Sequence, residues 1–265
     1  MLNPCPSAPV LVDTHVHLDD PGFDADRADV LARARDAGVH MLVVPGIDAS
    51  GWPRIRDLCA SHAGLFPCYG LHPLFLDHHR PSHLDALRHW LTHEATVALG
   101  EIGLDFYVRG LDPQAQRRYF EAQLDMALEL SLPVIVHARR AVEEVVLALR
   151  DRPGLHGVVH SFAGSEQQAE RLCEMGFYLG IGGPVTYARA RRLRRVVASL
   201  PIDRLLLETD APDQPNAGRQ GVRNEPAYMR ETLRVIAELR GESPASVAAA
   251  TTANACRLFG LPIPH

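Results

Sequence analysis

The chain has 265 residues, 46% of them hydrophobic and 22% charged, with 27 basic and 32 acidic side chains for a formal net charge of -5. Such values are ordinary for a globular protein and exclude a disordered chain or a fibre. The acidic balance excludes a protein that grips nucleic acid through a generally basic surface, but not local capture of one phosphate.

Val10 to Val12 is a short apolar strand that runs into Asp13-Thr14-His15-Val16-His17. Turn residues Asp19 to Gly22 follow, then a helix over Arg27 to Ala37 that Gly38 ends. Met41 to Val44 is strand two, and a helix from about Ser50 to Ala60 carries Pro53 in its first turn. Strand three, Leu65 to Leu71, ends in Gly70-Leu71-His72-Pro73, and a helix with a Ser82 cap runs to His93. Thr96 to Gly103 is strand four, terminated by Leu104-Asp105. The helix from Pro113 to Leu130 has Phe120, Leu124, Ala127 and Leu128 at helical spacing.

Strand five, Pro133 to His137, is continuously apolar and therefore buried, and Val142 to Leu149 is helical. Strand six, Gly157 to His160, precedes a helix from Ser165 to Met175; strand seven, Phe177 to Ile181, precedes one from Ala188 to Leu200. Strand eight, Arg204 to Glu208, leads to Thr209-Asp210, a long loop from Ala211 to Glu225, and helices over about Pro226 to Leu239 and Pro244 to Leu258. Eight apolar strands alternating with helices, without a linker, predict an α/β chain folded as one (β/α)8 TIM barrel over residues 1–265. An open doubly wound sheet is the alternative. Its one token is Gly180-Ile181-Gly182-Gly183, and Pro184 stands where a helix should open.

Every basic residue is arginine, so neither a lysine Schiff base nor a carboxylated lysine bridging two metals can form. Cys5, Cys59, Cys68, Cys173 and Cys256 are odd in number and scattered, the pattern of free thiols in a reducing compartment. Met1 to Pro6 lacks a basic stretch followed by an apolar core, and no apolar run has the length of a membrane span. The cytoplasm is the expected compartment, with no membrane partner and nothing that demands more than a monomer.

The polar residues carry the functional signal by position. His15 and His17 end strand one and, two apart, face the same side. His72 ends strand three, Glu101 closes strand four, His137 strand five and His160 strand six, and Asp210 follows strand eight. In a barrel all these ends share the C-terminal rim, where catalytic groups collect. Singly, each histidine could be a surface or capping residue and each carboxylate a cap or ion-pair partner. Together, four imidazoles (His15, His17, His137, His160) and two carboxylates (Glu101, Asp210) can hold two divalent ions with one carboxylate bridging. Arg139, two residues past His137, lies close enough to the rim to hold a substrate phosphate. The Arg189, Arg191, Arg192, Arg194 and Arg195 cluster reads as a solvated helix face on the outside of the barrel, away from the mouth.

With Asp13-Thr14-His15-Val16-His17-Leu18-Asp19, Gly70-Leu71-His72-Pro73, Gly100-Glu101-Ile102-Gly103-Leu104-Asp105, Pro133 to Arg139, Val159 to Gly164, Leu207 to Pro212 and Asn224-Glu225-Pro226, the chain resembles the TatD family of metal-dependent hydrolases, among the amidohydrolase-like barrels. The resemblance spans nearly the whole chain in order. It implies one ion held by His15, His17 and Asp210, another by His137 and His160, and a bridging Glu101. It also implies a Mg2+-dependent deoxyribonuclease, some members being 3′-5′ exonucleases on single strands. Where many members have Ser-Pro-Tyr-Leu after the Thr-Asp, this chain reads Ala211-Pro212-Asp213-Gln214, so substrate identity rather than metal chemistry is what the departure touches.

The expected reaction is two-metal phosphodiester hydrolysis of DNA or a related substrate. Asp210 orients the water and accepts its proton, and Arg139 steadies the phosphoryl oxygens. His72 is either a substrate contact or a structural residue, and Asp105 positions a ligand or loop. Nitrogen and oxygen ligands accept Mg2+, Mn2+ or Zn2+. The same centre could cleave a carboxylic ester or amide, and a non-catalytic binding protein is the third reading.

Overall fold

The computed structural model describes residues 10–263; Cys5 and the Met1 to Pro6 segment lie outside the described residues. The first half of the chain gives β1 (Leu11–Asp13), α1 (Arg27–Asp36), β2 (Val39–Pro45), α2 (Trp52–Ser61), β3 (Leu65–Cys68), α3 (Ser82–His93), β4 (Leu99–Asp105) and α4 (Pro113–Leu130). The second gives β5 (Val134–Arg139), α5 (Val142–Arg150), β6 (Gly157–Val159), α6 (Glu166–Glu174), β7 (Tyr178–Ile181), α7 (Arg191–Ser199), β8 (Leu205–Leu207), α8 (Met229–Arg240) and α9 (Pro244–Phe259).

All neighbouring strands pair in parallel, β1-β2-β3 in one run and β4 through β8 in another. Two thin joints close the ring, which rules out the open sheet. Between β3 and β4, Tyr69 bridges to Leu99 and Gly100 N–H donates to Tyr69 O at 2.9 Å. Between β8 and β1, Thr14 N–H donates to Leu207 O at 3.0 Å. The chain thus forms an α/β barrel.

Strand residues alternate between two apolar cores. Leu11, Val44, Val134, Val159 and Leu207 join the larger cluster beneath the helices. Val12, Val43, Ile135, Val158 and Leu206 join a smaller one with Cys256, Leu258 and Phe259 of α9. α9 closes the N-terminal end of the ring, because Asn254 Nδ2 donates to Leu205 O at 2.9 Å and Thr252 Oγ1 to Val10 O at 2.7 Å. The opposite end is left for chemistry.

Local departures from the sequence reading have local causes. The helix expected to start at a Ser82 cap is entered one residue earlier, through Pro81, whose fixed φ of −52° is already helical. In α4, Phe120, Leu124 and Ala127 are buried, but Leu128 falls off that stripe and is exposed. Ser165 caps α6 in a full capping box with Gln168. No helix among the described residues is long and apolar enough to cross a membrane.

Candidate metal centre

The period of two carries polar groups up from the inner core in three strands: Ile135 is followed by His137, Val158 by His160, and Leu206 by Glu208 and Asp210. In the other two, the alternation slips first. The chain bends at Thr14, just past β1, and β4 shifts register between Leu99 and Ile102. These slips turn His15, His17 and Glu101 toward the same mouth. Beyond the strands the rim is tied by Asp210 N–H donating to His15 O (2.9 Å) and His17 N–H to Ala211 O (2.8 Å).

Glu101 is the hub. It lies inside β4 rather than at its end, because the strand runs on to Asp105. Its Oε2 lies 3.2 Å from His15 Nε2 and 3.5 Å from His17 Nε2. Its Oε1 lies 3.1 Å from His137 Nδ1, 2.7 Å from His160 Nε2 and 3.0 Å from His72 Nε2. Asp210 Oδ1 is 3.6 Å from both His15 Nε2 and His17 Nε2. All six residues expected as metal ligands therefore meet in one place.

The donor set fits cations. His15 Nε2 and His17 Nε2 face each other at 3.3 Å, as do His137 Nδ1 and His160 Nε2, also at 3.3 Å. Paired nitrogen lone pairs at that distance, ringed by carboxylate oxygens, require a proton or a metal ion between them. Three overlapping groups have all their donor atoms within 4.8 Å: His15 with Glu101 and His160, His15 with His17 and Asp210, and His72 with Glu101 and His137.

The electrostatics agree. Burial opposes charge on Glu101, but the imidazoles of His72, His160 and His15 outweigh it and hold the carboxyl well below its usual range. Burial also opposes charge on His160 and His17, yet Glu101 and Asp210 push them up to about 10 and about 9. His15, buried beside His160, is held well below its ordinary value. A field that raises His17, His137 and His160 against the cost of burial is one that attracts divalent cations.

His72, expected as a substrate contact or a structural residue, is buried. Its Nδ1 accepts from Leu74 N–H at 3.2 Å, so Nε2 carries the proton and donates to Glu101 Oε1. Asp105 Oδ2 accepts from His137 Nε2 at 3.1 Å and turns Nδ1 toward Glu101. Arg139 is exposed and lines the mouth, its guanidinium 3.9 Å from the Tyr107 ring centroid. The mouth itself is a cavity of about 1130 Å³.

Several functional neighbours escape the sequence reading. Asp13 is fully buried and clamps Thr209, accepting from its N–H at 3.0 Å and its hydroxyl at 2.6 Å; burial, partly offset by these bonds, raises its carboxyl to about 7. Glu208 is buried behind His160, accepting from Ser161 N–H at 2.6 Å, and burial pushes it up to about 8. Its spacing two before Asp210 was the available signal. Gln214 Nε2 donates to Asp210 Oδ2 and its Oε1 accepts from Ser161 Oγ at 2.9 Å, a link no local pattern announces. Arg192 corrects the expectation for its cluster: it lines the mouth, donating to Ala163 O at 2.7 Å, because α7 starts at the rim. Arg195 keeps to the outer face, paired with Glu166.

Comparison with known proteins decides the family. The model for "TatD related DNase" matches residues 12–260. The chain belongs to the TatD family of metal-dependent hydrolases. It is 41% identical over 257 residues to YjjV of Escherichia coli K12, named an uncharacterized metal-dependent hydrolase, covering 95% of this chain and 98% of that one. The crystal structure of YjjV superposes with a TM-score of 0.91 over the same shares of the two chains. A Salmonella typhimurium protein named 3′-5′ ssDNA/RNA exonuclease TatD is 36% identical over 262 residues, covering 94% of this chain and 98% of its own. A dihydroorotase from Campylobacter jejuni, 14% identical, shares the fold at a TM-score of 0.60 over 97% of this chain and 85% of its own. The buried His, Glu and Asp clusters of this TatD-family chain are suited to metal ions.

Proposed function

We propose that this chain is a cytoplasmic, one-domain phosphodiesterase that shortens single-stranded nucleic acid from its 3′ end with two divalent ions. The observation that carries this reading is the split of the Glu101 carboxylate, with Oε2 toward His15 and His17 and Oε1 toward His137 and His160. His15, His17 and Asp210 would hold one ion and His137 and His160 the other, with Glu101 shared between them. Ions bound there would lower the pKa of a water at the centre and draw charge from the phosphoryl oxygens.

The remaining steps belong to the protein. Asp210, whose burial raises its carboxyl, orients the water and takes its proton, while the bond from Gln214 Nε2 keeps that carboxylate from rotating. The water oxygen adds to phosphorus as the bridging P–O bond breaks, and the leaving alkoxide takes the proton back from the Asp210 carboxyl. Arg139 holds the non-bridging oxygens, and His72 steadies Glu101 by donating to Oε1. Nucleic acid as substrate is supported by the name of the Salmonella typhimurium relative and by the guanidiniums at the mouth. Unpaired Cys59, Cys68, Cys173 and Cys256 support a reducing compartment.

A second reading, hydrolysis of a carboxylic ester or amide at the same centre, is favoured by Asp19, Asp20 and Asp213, which face the mouth beside the arginines and suit a polyanion poorly. One experiment separates the two. Protein stripped by chelation and reloaded with Mg2+, Mn2+ or Zn2+ is given 5′-labelled single-stranded DNA and RNA and a panel of esters and amides. Metal-dependent ladders shortened from the 3′ end are expected. Turnover of a carbonyl substrate with the oligonucleotides untouched would overturn the proposal.

A further inference from the structure

Tyr107 is the one exposed aromatic side chain among the described residues, 48% accessible, in a protein whose other aromatic rings are buried or half-buried. It stands on the loop between β4 and α4, at the mouth of the cavity that holds the histidines. The Arg139 and Arg140 guanidiniums lie 3.9 and 4.8 Å from its ring centroid, and both side chains are exposed.

The loop is tied to the centre by one buried side chain. Asp105 Oδ1 accepts from Tyr107 N–H at 2.9 Å and from Val108 N–H at 3.0 Å, while Oδ2 holds His137 Nε2 at 3.1 Å. Asp105 N–H in turn donates to Gln116 Oε1 at 2.8 Å, and Gln116 Nε2 returns a bond to Asp105 O at 2.9 Å, locking the strand end to α4. The ring therefore stands at a set distance from the reacting centre, although it touches none of the donor atoms. The guanidiniums lie over the ring, and the part of Tyr107 that stays accessible gives a flat heterocycle a place to extend that stack, with charge at hand for the neighbouring phosphates.

We propose that Tyr107, with Arg140, forms the subsite that stacks one base of a single-stranded nucleic acid a fixed number of nucleotides from the scissile phosphate. This rests on the phosphodiesterase reading above and adds where the strand is gripped. Tyr107 acts as a specificity-determining residue. Stacking recognises a base without reading its identity, so the subsite discriminates base from no base rather than one sequence from another.

The test walks a single abasic (tetrahydrofuran) position along a ten-nucleotide single-stranded DNA and measures kcat and KM with the Mn2+-loaded enzyme. In wild type, one position is expected to raise KM about 10-fold, the size of one lost stacking contact. Tyr107→Ala should raise KM about 10-fold on the intact strand and flatten the scan, with kcat and the Mn2+ Kd unchanged. Tyr107→Trp should restore both the affinity and the step. A flat scan in wild type, or the same step persisting in Tyr107→Ala, overturns the subsite and leaves the phosphodiesterase reading standing. Failure of wild type to cleave any intact oligonucleotide overturns both.

Discussion

Asp105 Oδ2 sits 3.1 Å from His137 Nε2, and through it the ring presents Nδ1 to Glu101 Oε1 at 3.1 Å. The nitrogen that faces the carboxylate hub is thus chosen by a residue outside the hub. Asp105→Ala frees the imidazole to take the other tautomer and to rotate. Affinity for Mn2+ is expected to fall about 10- to 100-fold, read by calorimetric titration of the metal-free protein. Unchanged affinity would remove Asp105 from this role.

Glu101→Ala and Asp210→Asn strike the centre directly. Glu101 touches both groups of imidazoles, and Asp210 supplies the carboxylate for one of them. Metal-dependent hydrolysis should disappear in each variant while the far-ultraviolet circular dichroism stays that of the folded chain. Turnover near the wild-type rate in either would sink the assignment.

The loop over residues 211–225 is anchored to α8 by Glu231. Its carboxylate accepts from Arg219 Nε at 2.9 Å and from Asn216 Nδ2 at 3.2 Å, and the Arg219 bond holds it below its ordinary value of 4.5. A carboxyl depressed on folding stabilises fully above pH 4.5 and loses that contribution as pH falls through its lower folded value. The pair is partly exposed, so the contribution is under about 1 kcal/mol. Amide exchange across 211–225 should accelerate below pH 4.5 relative to α4, and Glu231→Gln should already show the faster exchange at neutral pH. Identical exchange in the variant would show that the loop is held by other contacts.

Gly180 in β7 has no room for a side chain. A Cβ there would stand 2.1 Å from Glu208 Oε2 and 3.0 Å from His160 Cα, both buried. Gly180→Ala is expected to cost about 2 kcal/mol by overpacking, lowering the melting temperature by about 5 °C for a chain of this size. Because Glu208 must move, affinity for Mn2+ should fall as well. A variant that melts with wild type would mean that the strand shifts freely.

The elements were largely legible because their signals are local. Val134 to Val136 reads as a buried strand from its apolar run, and the helix placed at Ser165 to Met175 is found over Glu166–Glu174 with Ser165 as its cap. His137, His160 and Asp210 follow from period-two alternation above Ile135, Val158 and Leu206. His15, His17 and Glu101 reach the same mouth only through a bend and a register shift, which alternation does not foresee. Gln214 and Arg192 were missed because their partners, Asp210 and Ala163, are set by loop paths rather than by any periodicity.

Residue order alone settles the donor inventory, four imidazoles and two carboxylates in a lysine-free chain, and the eightfold alternation that brings strand ends to one rim. Both are local properties, of side-chain chemistry and of backbone period. Barrel closure decides the rest: which oxygen of Glu101 meets which histidine, which nitrogen of His72 and His137 carries the proton, and that one buried carboxylate ties the Tyr107 rim to the centre. Those outcomes depend on atoms far apart in the chain approaching within hydrogen-bond distance, and only the folded packing sets such distances.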